Sequence, residues 1–332
     1  WMEVVRFEQN PDNRGGAFIM SLEKVNPQAK GGTELLIDEF KRHIPEEIYN
    51  HFHIVPSRNR GLEPGKIPIY WAHDLVGDPE CDHLKAGGYN QYEKLIFVSN
   101  WQMQQFVSHY GIPWRKCIVI NNAIEPLLNK EKQYDQTINL IYHTTPHRGL
   151  EILAPVFDKL CERYTNIHLD VFSSFKIYDW SERDAEYKNV IDMLQNNKQV
   201  TYHGFKEHSV VREYVENAHI FAYPSIWMET SCRSLMEAMS AGLLCVHSNF
   251  GALYETAAGW TWMYQYHENK RDHAIAFYHQ LCAAIENISS EGIRSRLTSQ
   301  SSYANIFYNW EMCKNHWIPV LKGILREKGI EI

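Results

Sequence analysis

The sequence predicts an α/β protein made of two consecutive Rossmann-like, doubly wound domains, and three observations predict it. Apolar strand-like runs alternate with helix-period segments along the chain, the pattern of a parallel sheet covered on both faces. The pattern restarts with its own first strand at INLIYHTT (138–145), after the polar, strand-free segment NNAIEPLLNKEKQYDQT. Finally, the run from Tyr223 to Glu255 reads as strand, loop, helix, strand, which in an open α/β sheet puts the loop at the ligand-binding edge.

In the first half, GAFIMSLEKV (Gly16–Val25) is a strand candidate, followed by the loop NPQAKGG and the helix TELLIDEFKRHI. Further strands are expected at 51–57, 66–74, 94–100 and 116–122, with WQMQQFVSHYG as a helix between the last two. Beyond the linker, GLEILAPVFDKLCERY predicts a helix, and IHLDVFSS and VTYHG predict strands. HIFAYPS is a buried strand ending in Pro224-Ser225. In RSLMEAMSAG, Leu235, Met236 and Met239 fall at helical spacing and Gly242 is the expected left-handed stop. LLCVHS is the next buried strand.

Composition narrows the function classes. At 332 residues the chain fits two domains that each bury a core, and its 44% apolar and 22% charged content is that of a globular protein. A net charge of −7 advertises no broad nucleic-acid footprint. Seven cysteines form no C-x-x-C pair; Cys117 and Cys245 lie in apolar strands and read as reduced core residues. The 17 histidines are scattered, so no metal site is expected. With no signal peptide and no run of 18 apolar residues, the chain is expected to be cytoplasmic and not membrane-spanning. Met2, after Trp1, reads as the natural start.

Glu229 and Glu237 stand eight residues apart in the strand–loop–helix–strand unit. Thr230, Ser231 and Cys232 would open the helix, whose backbone N–H groups and positive dipole end suit a pyrophosphate. Glu237, two turns in, suits two ribose hydroxyls, and Glu229 can reach a sugar beyond the phosphates. For an arbitrary pair, the plain alternative is one helix cap and one solvated carboxylate.

The wider run settles between them. Pro-Ser, Glu229, Glu237-Ala-Met-Ser-Ala-Gly242, an apolar strand and Gly251-Ala252-Leu253-Tyr254-Glu255 together resemble the donor-site signature of retaining GT-B glycosyltransferases. The family is the large one that includes sucrose synthase and bacterial mannosyl- and glucosyltransferases (glycosyl transferases group 1, family 4). Its usual form has Gly-Phe-Gly after the first Glu, where this chain has Thr230, Ser231 and Cys232. The resemblance implies a GT-B fold, two domains facing a cleft, with the final tract NIFYNWEMCKNHWIPVLKGIL returning to the first domain. The implied domains are 1–130 with 304–332 on the acceptor side and 131–303 on the donor side, closing by hinge motion about 123–137.

The resemblance also gives roles to other residues. Thr144 and Arg148-Gly149 fall where relatives carry a basic residue against the donor diphosphate, and Gly31-Gly32 where they carry a Gly-rich loop facing phosphate and sugar. Lys30 adjoins that loop. His73 ends the strand IYWAHD, where relatives place a His near the reacting carbon; a core histidine is the alternative, and Asp74 either shares the site or caps the next helix. Ser173, Ser174 and His203-Gly204 close strands that line the nucleotide pocket in relatives, and Ser99, Asn100, Asn121 and Asn122 read as structural turns.

The expected catalytic set is therefore His73, Arg148 and Glu229. The expected donor-binding set is Gly31, Gly32, Thr144, Arg148, Glu229, Thr230, Ser231, Cys232 and Glu237. The implied activity is metal-independent, retaining transfer from a nucleotide-diphosphate sugar (a UDP- or GDP-sugar), with no cofactor. An acceptor glycan is the first expectation; lipid-linked sugar, protein, small metabolite and modified nucleic acid stay open, as does oligomeric state. A nucleotide-sugar-binding module without catalysis and a phosphorylase or epimerase of the same fold are the competing readings.

Overall fold

The computed structural model describes residues 32–331. The expected strand Gly16–Val25 and the loop carrying Lys30 and Gly31 lie outside them. The described residues divide into two compact units, one of residues 32–125 with 307–331 and one of residues 126–306.

The first unit holds a parallel sheet in the order β1 (Phe52–Pro56), β2 (Ile67–Ala72), β3 (Lys94–Phe97), β4 (Cys117–Val119). Alternation along β2 assigns the faces. Ile69 and Trp71 join a core with Leu36 and Phe40 of the helix Gly32–His43 and with Trp310, Trp317 and Leu321 of the helix Trp310–Glu327. Tyr70 and Ala72 point the other way, into a core with Leu95, Phe97 and Phe106. The C-terminal helix is thus part of this unit's core. Trp317 meets Phe40 and Trp71 edge-on, at ring-centroid distances of 4.9 and 5.0 Å. The chain's return is fixed by a 2.7 Å bond from the Ile124 N–H to the Tyr308 carbonyl and by Trp310 Nε1 donating to Glu39 at 3.0 Å.

The second unit has six parallel strands: β5 (Ile138–Tyr142), β6 (Ile167–Val171), β7 (Val200–Tyr202), β8 (Ile220–Tyr223), β9 (Leu244–Ser248) and β10 (Trp262–Tyr264). Their order is β10-β9-β8-β5-β6-β7. Every residue of β8 and β9 is buried, as in a parallel strand covered on both faces: β8 is apolar throughout, and β9 is apolar up to the buried His247 and Ser248. From β5 the chain builds outward to β7, then crosses to β8 on the other side of β5 and builds outward to β10. The direction of winding reverses between β5 and β8, so the carboxyl ends of these two strands open a crevice at a topological switch point.

Candidate active site

Two loops line that crevice, and two glycines set how closely they meet. After β5 the chain makes a short 3-10 turn, Pro146–Arg148, then Gly149 at φ +136° before the helix Leu150–Cys161. A Cβ on Gly149 would lie 2.3 Å from the carbonyl oxygen of Pro224, so only glycine lets the β5 loop lie against the β8 loop. The Ile226 N–H donates to the Arg148 carbonyl at 3.2 Å across this junction. Further on, Glu229 forms an isolated parallel bridge with Gly251, and its carbonyl accepts from the Ala252 N–H at 2.7 Å.

Gly251 has φ +65°, and a Cβ there would fall 2.5 Å from the Glu229 oxygen and 2.6 Å from its nitrogen. The loop after β9 therefore buttresses the Glu229 backbone at a spot with no room for a methyl group. Gly251→Ala is expected to cost about 2–4 kcal/mol of stability, from a left-handed backbone plus a clash with main chain that cannot swing away. Urea unfolding checks this, and an unchanged midpoint would show that the loop yields freely.

The side chains at the crevice are strongly coupled. Arg148 Nη1 pairs with Glu229 Oε1, and the same oxygen accepts from the Tyr223 hydroxyl at 2.5 Å. Arg148 Nε donates to Thr145 Oγ1 at 3.1 Å, and its guanidinium lies 5.9 Å from the Trp227 ring centroid. Exposure is 23% for the Arg148 side chain and 5% for Glu229. The sequence expectation gave Arg148 to a diphosphate and Glu229 to a sugar; the structure brings the two together. With Nε engaged by Thr145 and Nη1 by Glu229, the planar guanidinium keeps donors, those of Nη2 among them, for a further anion.

The helix Arg233–Ser240 has Cys232 as N-cap, and no side chain caps it. Thr230 and Ser231, expected to open the helix, lie in the turn before it. Gly242, at φ +69°, ends it in the left-handed conformation. Within this helix Glu237 is buried, and its Oε1 lies 2.7 Å from His208 Nε2 and 3.8 Å from Arg212 Nη1. Burial works against its charge, but His208, Arg233 and His143 outweigh burial and hold the carboxyl at about 2. Glu237 is therefore a permanent anion at neutral pH.

Around these groups lie several buried polar atoms with no hydrogen-bond partner: His143 Nε2, His147 Nδ1, Ser173 Oγ and Ser231 Oγ. Each belongs to a loop after β5, β6 or β8, and orphaned atoms of this kind cost roughly 1–3 kcal/mol apiece. Such atoms also occur away from the crevice, at Trp71 Nε1, Gln300 Oε1 and Trp317 Nε1. Aromatic groups supply the walls of the crevice. His147 stacks on Phe175 at 5.3 Å and meets Trp227 edge-on at 4.6 Å. His203 Nε2 lies 2.7 Å from Asp170 Oδ1, and its ring stacks on Phe172 at 4.2 Å. Burial keeps His143 neutral, lowering it to about 4, and burial beside Arg148 and Arg183 lowers His147 to about 2.

The other residues that the sequence marked as candidates belong to the first unit. His73 follows the last residue of β2; its N–H donates to Ser57 Oγ at 2.7 Å and its ring lies 4.6 Å from Trp71. Asp74 does not cap a helix. The next 3-10 segment, Pro79–Gln91, is capped by Asp78, four residues on, and Asp74 is pushed up to about 6 chiefly by burial. Gly32 is the first residue of the helix Gly32–His43. Ser99 caps the helix Asn100–Tyr110, accepting from the Gln102 N–H at 3.1 Å, and Asn121 donates to the Val98 carbonyl.

Sequence reasoning missed His208, Tyr223, His147, Trp227 and Arg233. His147 and Trp227 sit inside the quoted loops and offered an aromatic signal. His208 gave none, since only the packing of two helices brings it to Glu237. Among the described residues, no group of three or more His, Cys, Asp or Glu is arranged to hold a metal ion, and no helix is long and apolar enough to cross a membrane.

Known proteins share both sequence and fold with this chain. Residues 124–275 match the family model of glycosyl transferases group 1. One subunit of the phosphatidylinositol N-acetylglucosaminyltransferase of Arabidopsis thaliana is 24% identical over 197 residues, 56% of this chain; the chain spans 42% of that relative's length. Among solved structures, a glycosyltransferase from Rickettsia africae superposes with a TM-score of 0.65 at 15% identity, covering 91% of this chain and 84% of that one. Anabaena Alr3699/HepE, solved in complex with UDP and glucose, gives 0.61 at 14% identity, covering 78% and 72%. The fold is that of the GT-B glycosyltransferases. The match to the group 1 family model runs across the crevice just described, from the approach to β5 to beyond β10.

Proposed function

We propose that the chain transfers a sugar, with retention and without a metal ion, from a UDP- or GDP-sugar to a hydroxyl-bearing acceptor, a glycan in the first instance. One observation carries this reading: the switch point of the second unit gathers a partly exposed Arg148, an uncapped helix start and the buried anion Glu237 around orphaned polar atoms. A nucleoside diphosphate meets each with its matching chemistry. Ribose hydroxyls donate to Glu237, phosphate oxygens accept from the helix N-terminus and Arg148, and Glu229 orients the sugar.

Cleavage of the bond from the anomeric carbon to the phosphate oxygen leaves its electron pair on the diphosphate. Arg148 and the helix start are placed to stabilise that growing charge. The acceptor oxygen bonds to the same face of the carbon, and its proton passes to the leaving phosphate, so no protein nucleophile is required. His73 and the Gly31-Gly32 segment are assigned to the sugar and its phosphates on the resemblance. Metal independence is supported by the absence of an Asp-x-Asp motif at a strand end.

The test is a thermal-shift panel of UDP-, GDP-, ADP- and TDP-sugars with and without EDTA, followed by assay of donor hydrolysis and transfer. A raised midpoint for one donor, insensitive to EDTA, is expected. Glu237→Ala should reduce the shift, since charged hydrogen bonds worth roughly 1.5–3 kcal/mol each are lost. No shift with any donor would overturn the reading. Binding with neither hydrolysis nor transfer would make the chain a sugar-nucleotide-binding module. Activity lost to EDTA and restored by Mg²⁺ or Mn²⁺ would refute metal independence.

A further inference from the structure

We infer that His208 is a positioning residue of the donor site, holding the Glu237 carboxylate in the orientation that presents its remaining lone pairs to a ribose. The inference rests on the donor reading above and extends it to a residue outside the recognised signature.

The groups facing Glu237 come from three elements: His208 and Arg212 on the helix His208–Asn217, Arg233 on Glu237's own helix, and His143 in the loop after β5. Of the contacts to the carboxylate, that from His208 Nε2, at 2.7 Å, is at hydrogen-bond length. Arg212 Nη1 stands off at 3.8 Å while its Nη2 donates to the Pro126 carbonyl at 3.0 Å, which draws the guanidinium away. His143 is buried and neutral, and its Nε2 makes no hydrogen bond. The rotation of the Glu237 carboxylate about its last bond is thus fixed by one partner.

An ionised carboxylate offers about four lone-pair sites. His208 uses one on Oε1, which leaves enough for two vicinal hydroxyls. Without His208, the cations still facing the carboxylate are Arg233, the stronger influence on it, and Arg212, and nothing would stop the carboxylate from turning to close the 3.8 Å gap to Arg212 into a direct ion pair. The charge would survive, but its lone pairs would face the wrong way. The His208 side chain is 42% exposed, whereas that of Glu237 is 5% exposed.

The decisive measurement is discrimination between ribose and 2′-deoxyribose. Calorimetry compares UDP with 2′-deoxy-UDP, and GDP with 2′-deoxy-GDP, on the wild-type chain, His208→Ala, His208→Gln, Glu237→Ala and the double variant. The wild type is expected to prefer the ribonucleotide of its base by roughly tenfold or more, the value of one hydrogen bond to a charged group. His208→Ala should cut that preference to about twofold while changing 2′-deoxynucleotide affinity little. His208→Gln, whose amide can still donate, should recover much of it. In the Glu237→Ala background, removing His208 should add nothing.

The failures are separable. If neither UDP nor GDP binds the wild type, the donor reading falls and this inference falls with it. If the nucleotide binds without preferring ribose, the Glu237 assignment is wrong. If the wild type discriminates and a folded His208→Ala discriminates equally, His208 is only a surface neighbour and the inference alone is overturned. Equal losses for ribo- and deoxynucleotides would mean a structural role.

Discussion

Arg148→Ala is expected to lower kcat by roughly 10²–10³-fold, the size of effect seen when a donor to a developing oxyanion is removed. The effect should fall on kcat more than on KM for the donor, because charge on the leaving diphosphate grows toward the transition state. Stability should suffer too. The variant leaves Glu229 buried with the Tyr223 hydroxyl but no cation, and breaking a buried ion pair from one side costs about 3–5 kcal/mol. A fall in activity could then reflect unfolding, and Arg148→Ala/Glu229→Gln separates the two. Neutralising both partners should restore most of the melting temperature while activity stays low. Arg148→Lys keeps the charge and should retain substantial activity; near-complete loss would mean that the planar fork, shared between Glu229, Thr145 and the diphosphate, is what the site needs. An effect confined to KM would reduce Arg148 to uniform binding of donor and transition state. No effect on either constant would remove it from the site.

What the sequence displayed was the part of the fold written in local patterns. The runs chosen as strands contain β1 to β9, because doubly covered parallel strands are continuous apolar segments and the intervening helices are periodic. The edge strand β10, Trp262–Tyr264, is not among those runs; β4 and β7 are equally short but fall within longer strand-like runs. Strand order was not legible at all. That β8 crosses to lie beside β5 is what creates the crevice, and no local signal encodes it.

The site followed the same division. Glu229, Glu237, Arg148 and Gly251 stood out because they lie in one register of loop, helix and strand. Their partners did not, since Tyr223 reaches Glu229 by the fold of a turn and His208 reaches Glu237 by helix packing. Nor did the sequence reveal that Arg148 and Glu229 pair with each other. That pairing ties two proposed roles into one: the carboxylate proposed to orient the sugar also holds the cation proposed to bind the phosphates.

The second large effect expected is acid unfolding of the unit of residues 126–306 between about pH 6.5 and pH 4. Burial lowers His143, His247 and His273 to about 4 and His147 to about 2, each from an ordinary 6.5. Above pH 6.5 these imidazoles are neutral in both folded and unfolded chains and contribute nothing to the pH dependence. Below it the unfolded chain takes up protons that the folded chain refuses, so stability falls with pH until the folded values are reached. Each group adds about 1.4 kcal/mol per pH unit across that window. Four of them acting together approach the ~5–15 kcal/mol that holds an ordinary domain folded. Glu237 does not offset this: its carboxyl lies at about 2, below the ordinary 4.5, so the stability it gives is present above pH 4.5 and lost on further acidification. Near-ultraviolet circular dichroism or urea midpoints at pH 7, 6 and 5 check the trend, and equal midpoints at pH 7 and pH 5 would contradict it. His247→Gln and His273→Gln supply the control, because an amide can keep one bond to Thr261 or Tyr264 but does not titrate in this range. Whatever they cost at pH 7, these variants should show a shallower loss between pH 6.5 and pH 4. A slope unchanged from wild type would place the acid sensitivity elsewhere than in these buried imidazoles.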